Sequence, residues 1–293
     1  MEPLSQLGED AVLRRLLPHL TGNETLLVGA GDDCAVAARN AEWDTLLKTD
    51  AVVEGVHFTR DTEPERIGRK ALARAVSDIA AMGGVPEHAL VTLLVHPRRG
   101  VELLEGIYRG LARLAAEFGI SLAGGETTAL PQDGLAISVA LTGRVEHGRA
   151  VLRSTAHPGD FLYVSGKLGG SFESGRHLDF IPRVLLARAL MEHGLRPSAM
   201  MDLSDGLGTD LPRLAAASRC GFEVDEASLP LHEGCTPRKG ICDGEDYELL
   251  MSFPPELAER LSGAHLPTPI TRIGRLTDGG GQKLPSGWQH FTA

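Results

Sequence analysis

Residues 67–82 read IGRKALARAVSDIAAM. Apolar residues recur at positions 67, 71, 72, 75, 76, 79 and 80, which is the spacing of one face of an α-helix. Asp78 lies within this apolar stripe, directly after Ser77 and before Ile79. A carboxylate that faces a partly buried surface needs a partner, and a cation is one candidate. The stretch therefore predicts a helix that packs against a core and carries a partnered acid.

The elements around this helix predict an α/β fold. Strands are predicted at residues 43–53, 120–123, 135–145, 161–165, 247–253 and 270–276, where apolar runs or alternating polarity occur. Further helices are predicted at residues 101–118, 183–193, 207–220 and 255–261. Polar turns at 146–149 and 157–160 separate the two halves of the chain. We therefore expect two domains, over residues 1–148 and 149–293.

The composition narrows the classes of partner. The chain has 293 residues, is 42% hydrophobic and carries a net charge of −10, which argues against nucleic acid or an anionic membrane as the main partner. Its four cysteines show no CxxC spacing, so a zinc site is not predicted and a reducing, cytoplasmic location is expected. The first twenty residues carry charges throughout and predict no signal peptide, and no stretch is long enough to span a membrane.

Acidic residues stand beside glycine, serine or threonine in six places along the chain. Carboxylates grouped with small residues are suited to holding divalent cations against phosphate. Taken one at a time, most of these clusters favour a turn residue or a helix N-cap over a cation ligand. The six clusters are Gly31-Asp32-Asp33, Thr49-Asp50, Ser77-Asp78, Gly124-Gly125-Glu126-Thr127-Thr128, Asp202-Leu203-Ser204-Asp205-Gly206 and Gly244-Glu245-Asp246.

Known nucleotide-binding motifs are weak or absent. The chain has no GxxxxGK[ST] sequence, so a P-loop is excluded. Residues 29–34 resemble the start of a GxGxxG motif, but Cys34 replaces its last glycine and two aspartates stand where a phosphate would lie. The glycine-rich residues 164–171 follow a predicted strand. They are compatible either with a phosphate cradle or with a plain tight turn.

The order of the clusters and their flanking residues resembles the thiamine-monophosphate kinases, which belong to the superfamily of aminoimidazole ribonucleotide synthetase. The resemblance runs nearly end to end, and its most specific strings are Glu54–Phe58 and Gly244–Leu249. The other matching segments are Gly31–Ala35, Thr49-Asp50, Lys70–Ala73, Ser77–Gly83, Arg153-Ser154, Pro158–Asp160, Asp202–Leu207, and Trp288 with His290-Phe291.

The resemblance implies an α/β fold of two layered domains, with an N-terminal mixed-sheet domain for ATP, Mg²⁺ and dimerisation and a C-terminal α/β domain. It implies a homodimer that transfers the γ-phosphoryl group of ATP directly to thiamine monophosphate, with several Mg²⁺ ions between the two anions. The acceptor is a phosphate oxygen that is already ionised, so we assign no general base.

Residue roles follow from the same resemblance. The implied magnesium ligands are Asp33, Thr49, Asp50, Asp78, Glu126, Asp202 and Asp205. The implied ATP contacts are Tyr108, Gly125, Arg153 and Ser204. The implied contacts to thiamine monophosphate are His57, Glu245 and Trp288, with the indole against the cationic ring system.

Four positions depart from the family pattern. Glu126 replaces an aspartate, Lys48 a serine or threonine, Ala75 an asparagine and Gly170 an aspartate. Two alternatives stay open. A non-catalytic nucleotide-binding relative is favoured only by Glu126 and Lys48. Another synthetase of the superfamily would need a reactive residue on a mobile N-terminal tail, whereas this chain starts directly at Met1-Glu2-Pro3-Leu4.

Overall fold

A computed structural model describes residues 4–288. Met1–Pro3 and residues 289–293, which include the matching pair His290-Phe291, lie outside the described residues. The first half of the chain forms a six-stranded sheet, in which only the β4–β5 pair is parallel. Its elements are α1 (Glu9–Leu16), β1 (Leu26–Val28), β2 (Ala35–Ala38), β3 (Trp43–Val53), α2 (Pro64–Ala81), β4 (Val85–Val95), α3 (Val101–Phe118), β5 (Ser121–Ala129) and β6 (Leu135–Glu146), with strand order β1-β2-β3-β6-β4-β5.

The second half of the chain forms a five-stranded sheet. Every pair of neighbouring strands in it is antiparallel. The elements are β7 (Phe161–Ser165), α4 (Ser171–Ser174), α5 (Val184–Glu192), β8 (Ala199–Asp202), α6 (Leu207–Ala217), β9 (Gly221–Val224), α7 (Pro237–Cys242), β10 (Leu249–Phe253), α8 (Pro255–Ser262) and β11 (Ile270–Thr277), with strand order β8-β10-β7-β11-β9.

Helix α2 lies between the two halves. It packs on β3 and β6 of the first sheet and on α5 and β8 of the second half, so most of its 18 residues are buried. It also packs closely against α3, and two glycines permit that contact. A Cβ on Gly68 would lie 1.9 Å from the Ile107 carbonyl oxygen, and one on Gly110 would lie 1.8 Å from the Glu65 carbonyl oxygen. Only glycine fits at such a backbone approach.

The largest hydrophobic core draws residues from both halves. It joins Leu72 and Val76 of α2 to Val139 of the first sheet and to Met200 and Leu249 of the second. A smaller core lies within the second half. The domain boundary near residue 148 therefore stays a prediction, since burial is continuous across it. In residues 4–288, no helix combines the length and the apolar character that crossing a membrane requires.

The first sheet has one buried and one open face, and this decides where side chains on β3 point. Successive residues of a strand face opposite sides. Lys48 and Asp50 belong to the face that α2 covers, together with the buried Leu46 and Val52. Thr49 and its odd-numbered neighbours lie on the open face, where Leu47 is 43% exposed.

Candidate active site

Three aspartates from distant parts of the chain meet beside α2. Asp33 precedes β2, Asp78 lies near the end of α2, and Asp202 ends β8. All three are buried, and one carboxylate oxygen from each lies within 4.8 Å of the others. Burial raises the pKa of Asp78 well above its usual range, and Asp202 nearby adds to the rise. Burial and then the charge of Asp33 raise the pKa of Asp202 to about 6. The group therefore favours a bound cation.

Positive groups from the chain already face these carboxylates and the nearby Asp50. Lys48 Nζ lies 2.9 Å from Asp78 Oδ1. Arg153 Nε donates to Asp33 Oδ2 at 3.2 Å, and Arg74 Nε donates to Asp50 Oδ2 at 3.0 Å. Burial opposes the charge on Lys48, but Asp78 and Asp50 outweigh burial and raise its pKa.

The same group of carboxylates fits Mg²⁺. Its donors are all carboxylate oxygens, which are the ligands that this hard ion prefers. The Ser77 hydroxyl donates to Asp202 Oδ2 at 2.6 Å and so orients that carboxylate. Cys34 is buried beside the group, and burial raises its pKa well above the usual range, so its sulfur is a neutral thiol rather than a thiolate ligand.

A cavity of about 320 Å³ lies beside this acidic group. Its wall combines the loop after β3, the segment between β8 and α6, the segment after α7, one residue each from α2 and α4, and the C-terminal end of the described chain. An indole, a carboxylate, an imidazole and a guanidinium group therefore share one chamber. The lining residues are Gly55, Val56, His57, Arg74, Phe172, Ser204, Asp205, Gly244, Glu245, Tyr247 and Trp288.

Lys70 of α2 ties two walls of the cavity together. Its side chain is fully buried, and Nζ donates at 2.6 Å both to the His57 carbonyl oxygen and to Glu245 Oε2. His57 Nδ1 accepts from the Val53 amide at 3.0 Å, which holds the imidazole. Burial lowers the pKa of Lys70 to about 8, against the opposing effect of Glu245.

The segment around Glu245 holds a conformation that L-residues rarely adopt. Glu245 has φ of 64° and Tyr247 has φ of 51°. Two contacts compensate for the strain. The Glu245 amide donates to the Ser204 carbonyl oxygen at 2.7 Å, and Tyr247 stacks on Phe180 with ring centroids 3.9 Å apart. Such strain is typical of functional segments that the surrounding structure holds in place.

Asp205 lines the cavity but does not join the three buried aspartates. Its carboxylate pairs with Arg213, which also lies 3.3 Å from Asp210. The Asp205 carbonyl oxygen accepts from the Trp288 amide at 2.9 Å, which fixes the chain near the indole. The Asp205 backbone therefore holds the cavity wall near Trp288 in the single chain, and the role of Asp205 as a magnesium ligand stays a prediction.

Four predicted site residues lie away from the acidic group in the single chain. Thr49 and Glu126 occupy positions on the open face of the first sheet, and Tyr108 is exposed on α3. Gly125 is three strands from Asp50 in the same cross-strand row, about 14 Å at the usual strand spacing. A Cβ on Gly125 would lie 1.8 Å from the Val91 carbonyl oxygen. The pairing of β5 with β4 therefore requires glycine at position 125, independently of the predicted ATP contact.

The glycine-rich turn after β7 is a tight turn rather than a free phosphate cradle. The Gly169 amide donates to Asp246 Oδ2 and the Gly170 amide to Asp243 Oδ2, each at 2.8 Å. Burial raises the pKa of Asp246 to about 7. The amides that would hold a phosphate are already used by the chain's own carboxyl groups.

Two site residues on α2 escaped the sequence reasoning. Lys70 appears only in a segment that matches the family, with no role assigned to it, and Arg74 carries no prediction. The spacing of Lys70, Arg74 and Asp78 is four residues each time, which places them on one side of a helix. Charged residues repeating at this interval inside an apolar helix were the signal available.

Comparison with known proteins defines the class first. Residues 31–145 match the family described as AIR synthase related protein, N-terminal domain, and residues 181–285 match the corresponding C-terminal domain. The fold is therefore that of an AIR synthase related protein. A thiamine-monophosphate kinase from Rhodopirellula baltica is 37% identical over 85% of this chain and 83% of that relative. The one from Bacillus subtilis is 32% identical over 93% of this chain and 92% of that relative.

A solved structure described as AaThiL complexed with AMPPCP and TMP matches with a TM-score of 0.86 and 31% identity, covering 99% of both chains. The chain belongs to the thiamine-monophosphate kinase family. The predicted fold class and the predicted family are confirmed.

Proposed function

We propose that this chain transfers the γ-phosphoryl group of ATP to thiamine monophosphate, giving thiamine diphosphate and ADP. The observation that carries the proposal is the position of the buried group Asp33, Asp78 and Asp202 beside a cavity lined by Glu245 and Trp288. The related AaThiL structure, described as complexed with AMPPCP and TMP, supports an ATP analogue and a thiamine phosphate as its ligands.

The acidic group is the proposed site of Mg²⁺. Asp33, Asp78 and Asp202 would hold the ions. Asp50, whose charge acts on Asp78, and Asp205, which lines the cavity, would lie at the margin. When bound, Mg²⁺ supplies positive charge that offsets the repulsion between two phosphates and helps to orient them. Thr49 and Glu126 lie on the open face of the sheet, away from this group in one chain. Their role as magnesium ligands therefore stays a prediction.

The cavity suits a flat, cationic ring system. The Trp288 indole offers a π-face to a cation, and the Glu245 carboxylate offers a negative charge. His57 closes the same wall, where Lys70 holds its backbone. Helix α2 supplies Arg74 to the cavity and Asp78 to the acidic group, so the two sites adjoin along this helix. Binding of the substrate rings in the cavity would therefore direct the phosphate toward the acidic group.

Arg153 and Ser204 are the proposed contacts to ATP. Arg153 also pairs with Asp33 of the acidic group, so its positive charge lies where the phosphates would bind. Phosphoryl transfer depends mainly on positioning and charge stabilisation, so arginine and lysine at this place fit the reaction. The attacking oxygen is ionised at neutral pH, and for this reason no residue is assigned as a general base. Direct in-line transfer is the mechanism proposed.

A homodimer forming through the open face of the first sheet is also proposed. Three large apolar residues are exposed there, Leu47 at 43%, Val53 at 37% and Leu90 at 51%. Large apolar residues exposed on one face of a sheet fit an interface with another chain. Strand β5 forms the edge of the same sheet, so a partner on this face would lie near Gly125 and Glu126. A cytoplasmic location is proposed as well, and the free cysteines Cys34, Cys220, Cys235 and Cys242 agree with it.

One assay tests the reaction against the two alternatives. The purified chain is incubated with ATP and Mg²⁺, with and without thiamine monophosphate, and both ADP and thiamine diphosphate are quantified. The kinase predicts ADP and thiamine diphosphate in equal amounts, only when thiamine monophosphate is present. Nucleotide binding without turnover would identify a non-catalytic relative, which Lys48 and Glu126 favour. Turnover of ATP that is independent of thiamine monophosphate would point to another synthetase.

A further inference from the structure

Lys48 is built into the acidic site rather than directed away from it. It lies on the face of β3 that α2 covers, two residues before Asp50. Its side chain is 22% exposed, and Nζ lies 2.9 Å from Asp78 Oδ1. The partner carboxylate is 10% exposed, so this is an enclosed ion pair and not a surface one. The ammonium group therefore occupies space that a cation near Asp78 would otherwise use.

The charges around this place do not balance without a further cation. Asp33 pairs with Arg153, Asp50 with Arg74 and Asp78 with Lys48. Among residues 4–288, Asp202 forms no salt bridge and accepts only the Ser77 hydroxyl within hydrogen-bond distance. When all four carboxylates are ionised, the three cations that pair with them leave one net negative charge. A neutral residue at position 48 would leave two.

Lysine and a metal ion satisfy a carboxylate in different ways. An ammonium group is a compact positive charge that donates hydrogen bonds and, while charged, cannot ligate a metal. A divalent ion that needed Asp78 Oδ1 would have to displace Nζ, and an ion placed next to Nζ would be repelled by it. The ammonium group and a divalent ion are therefore mutually exclusive occupants of that side of Asp78.

We propose that the ammonium group of Lys48 takes the place of one divalent cation in the group formed by Asp33, Asp50, Asp78 and Asp202. The chain then binds one divalent ion fewer than the same chain with threonine at position 48. Asp202, which forms no salt bridge among residues 4–288, remains available to the ions that do bind. The proposal rests on the assignment of this group as the Mg²⁺ site of the proposed kinase. It adds that one of the positive charges in this site belongs to a side chain of the protein, Lys48, rather than to a bound ion.

The test counts bound metal directly and does not depend on turnover. Mn²⁺ is titrated into the wild-type chain, Lys48→Thr and Lys48→Met, and free Mn²⁺ is followed by electron paramagnetic resonance. We expect both variants to bind one more Mn²⁺ per chain than the wild type. The methionine variant keeps the apolar stem without the charge, so it gives the answer if threonine impairs folding. Lys283→Thr, at an exposed position, is the matched control and should keep the wild-type count.

An equal Mn²⁺ count in the wild type and in both Lys48 variants would overturn the proposal. Thermal unfolding of each variant establishes that the counts refer to folded protein. Formation of thiamine diphosphate by the wild type is measured separately. If the wild type makes thiamine diphosphate but the Mn²⁺ counts are equal, the proposed function stands and only the role of Lys48 is refuted. If the wild type is inactive but the Lys48 variants bind one more Mn²⁺, the role of Lys48 stands and the proposed kinase activity is refuted.

Discussion

Lys70 Nζ lies 2.6 Å from Glu245 Oε2, and this contact joins α2 of the first half to the strained segment before β10. The lysine side chain is fully enclosed, whereas the glutamate side chain is 18% exposed and lines the cavity. The same ammonium group also holds the His57 carbonyl oxygen. One buried cation thus positions two walls of the proposed substrate site. The lowered pKa of Lys70 and the replacement of Lys70 by a neutral residue should both change the stability of the protein.

The pH dependence of stability should reveal this lysine. Burial lowers its folded pKa from 10.5 to about 8, with Arg74 lowering it further and Glu245 and Asp50 opposing. Between pH 8 and 10.5 the unfolded chain therefore binds more protons at this site than the folded chain, and stability rises with pH. The lysine should add about 3 kcal/mol to the free energy of unfolding across that interval.

The comparison with Lys70→Met isolates this contribution. Urea unfolding at several pH values should show the wild type gaining stability over Lys70→Met as the pH rises from 8 to 10. The exposed Lys283→Met should follow the wild type throughout. If the difference between the wild type and Lys70→Met were independent of pH, the lowered pKa of Lys70 would be refuted.

Trp288 should govern affinity for thiamine monophosphate. The indole is 53% exposed and lines the same cavity as Glu245. Loss of a cation–π contact worth about 0.5–2 kcal/mol corresponds to a KM about 2–30 times higher in Trp288→Ala. The KM for ATP and kcat should change little, because this contact binds ground state and transition state alike. Trp288→Phe should retain part of the affinity. An increase confined to the KM for ATP would place the indole at the nucleotide instead.

Hydrophobic periodicity predicted the long elements well. Strand β3 and helix α3 have the predicted bounds because alternation and the helical stripe continue to both ends. Strand β4 was missed, because Pro86, Glu87 and His88 at its start hide the buried alternation of Ala89, Val91 and Leu93. Strand β5 runs through Gly124-Gly125 to Ala129, where glycines favour a turn in sequence but the parallel pairing with β4 extends the strand.

The site was predictable as a set of residues but not as an arrangement. Local sequence placed Asp78 on a helix, but only tertiary packing brings Asp33 and Asp202 to it from across the chain. Alternation along β3 does imply that Thr49 and Asp50 leave opposite faces of the sheet. The pairs Lys48–Asp78 and Lys70–Glu245 each join residues from separate elements, and no local pattern predicts such long-range partners.

Asp202→Asn should nearly abolish turnover without unfolding the chain. Asparagine keeps an oxygen that can accept from the Ser77 hydroxyl, and burying an amide costs less than burying a carboxylate. Removing a group that only supports a metal ligand typically costs about 10–100-fold, so loss of a ligand itself should cost at least about 100-fold. Turnover and the rise in Tm caused by Mg²⁺ are the two measurements.

The exposed Asp278→Asn serves as the control for Asp202→Asn and should leave both quantities unchanged. A folded Asp202→Asn variant that kept both its turnover and its full Mg²⁺-dependent rise in Tm would remove Asp202 from the metal site. Loss of turnover with an unchanged rise in Tm would instead assign the residue to nucleotide positioning.

The proposed homodimer depends on the open face of the first sheet, and Leu90→Asp tests it. Leu90 is 51% exposed and lies in the same cross-strand row as Thr49. In a dimer packed on this face, an aspartate at position 90 would be buried without a partner, which costs several kcal/mol. Sedimentation velocity should therefore show a dimer for the wild type and a monomer for Leu90→Asp. Leu185→Asp, at a position on α5 that is 70% exposed, introduces the same charge elsewhere and should leave the dimer intact. A dimer that survives Leu90→Asp but not Leu185→Asp would move the interface to the second half of the chain.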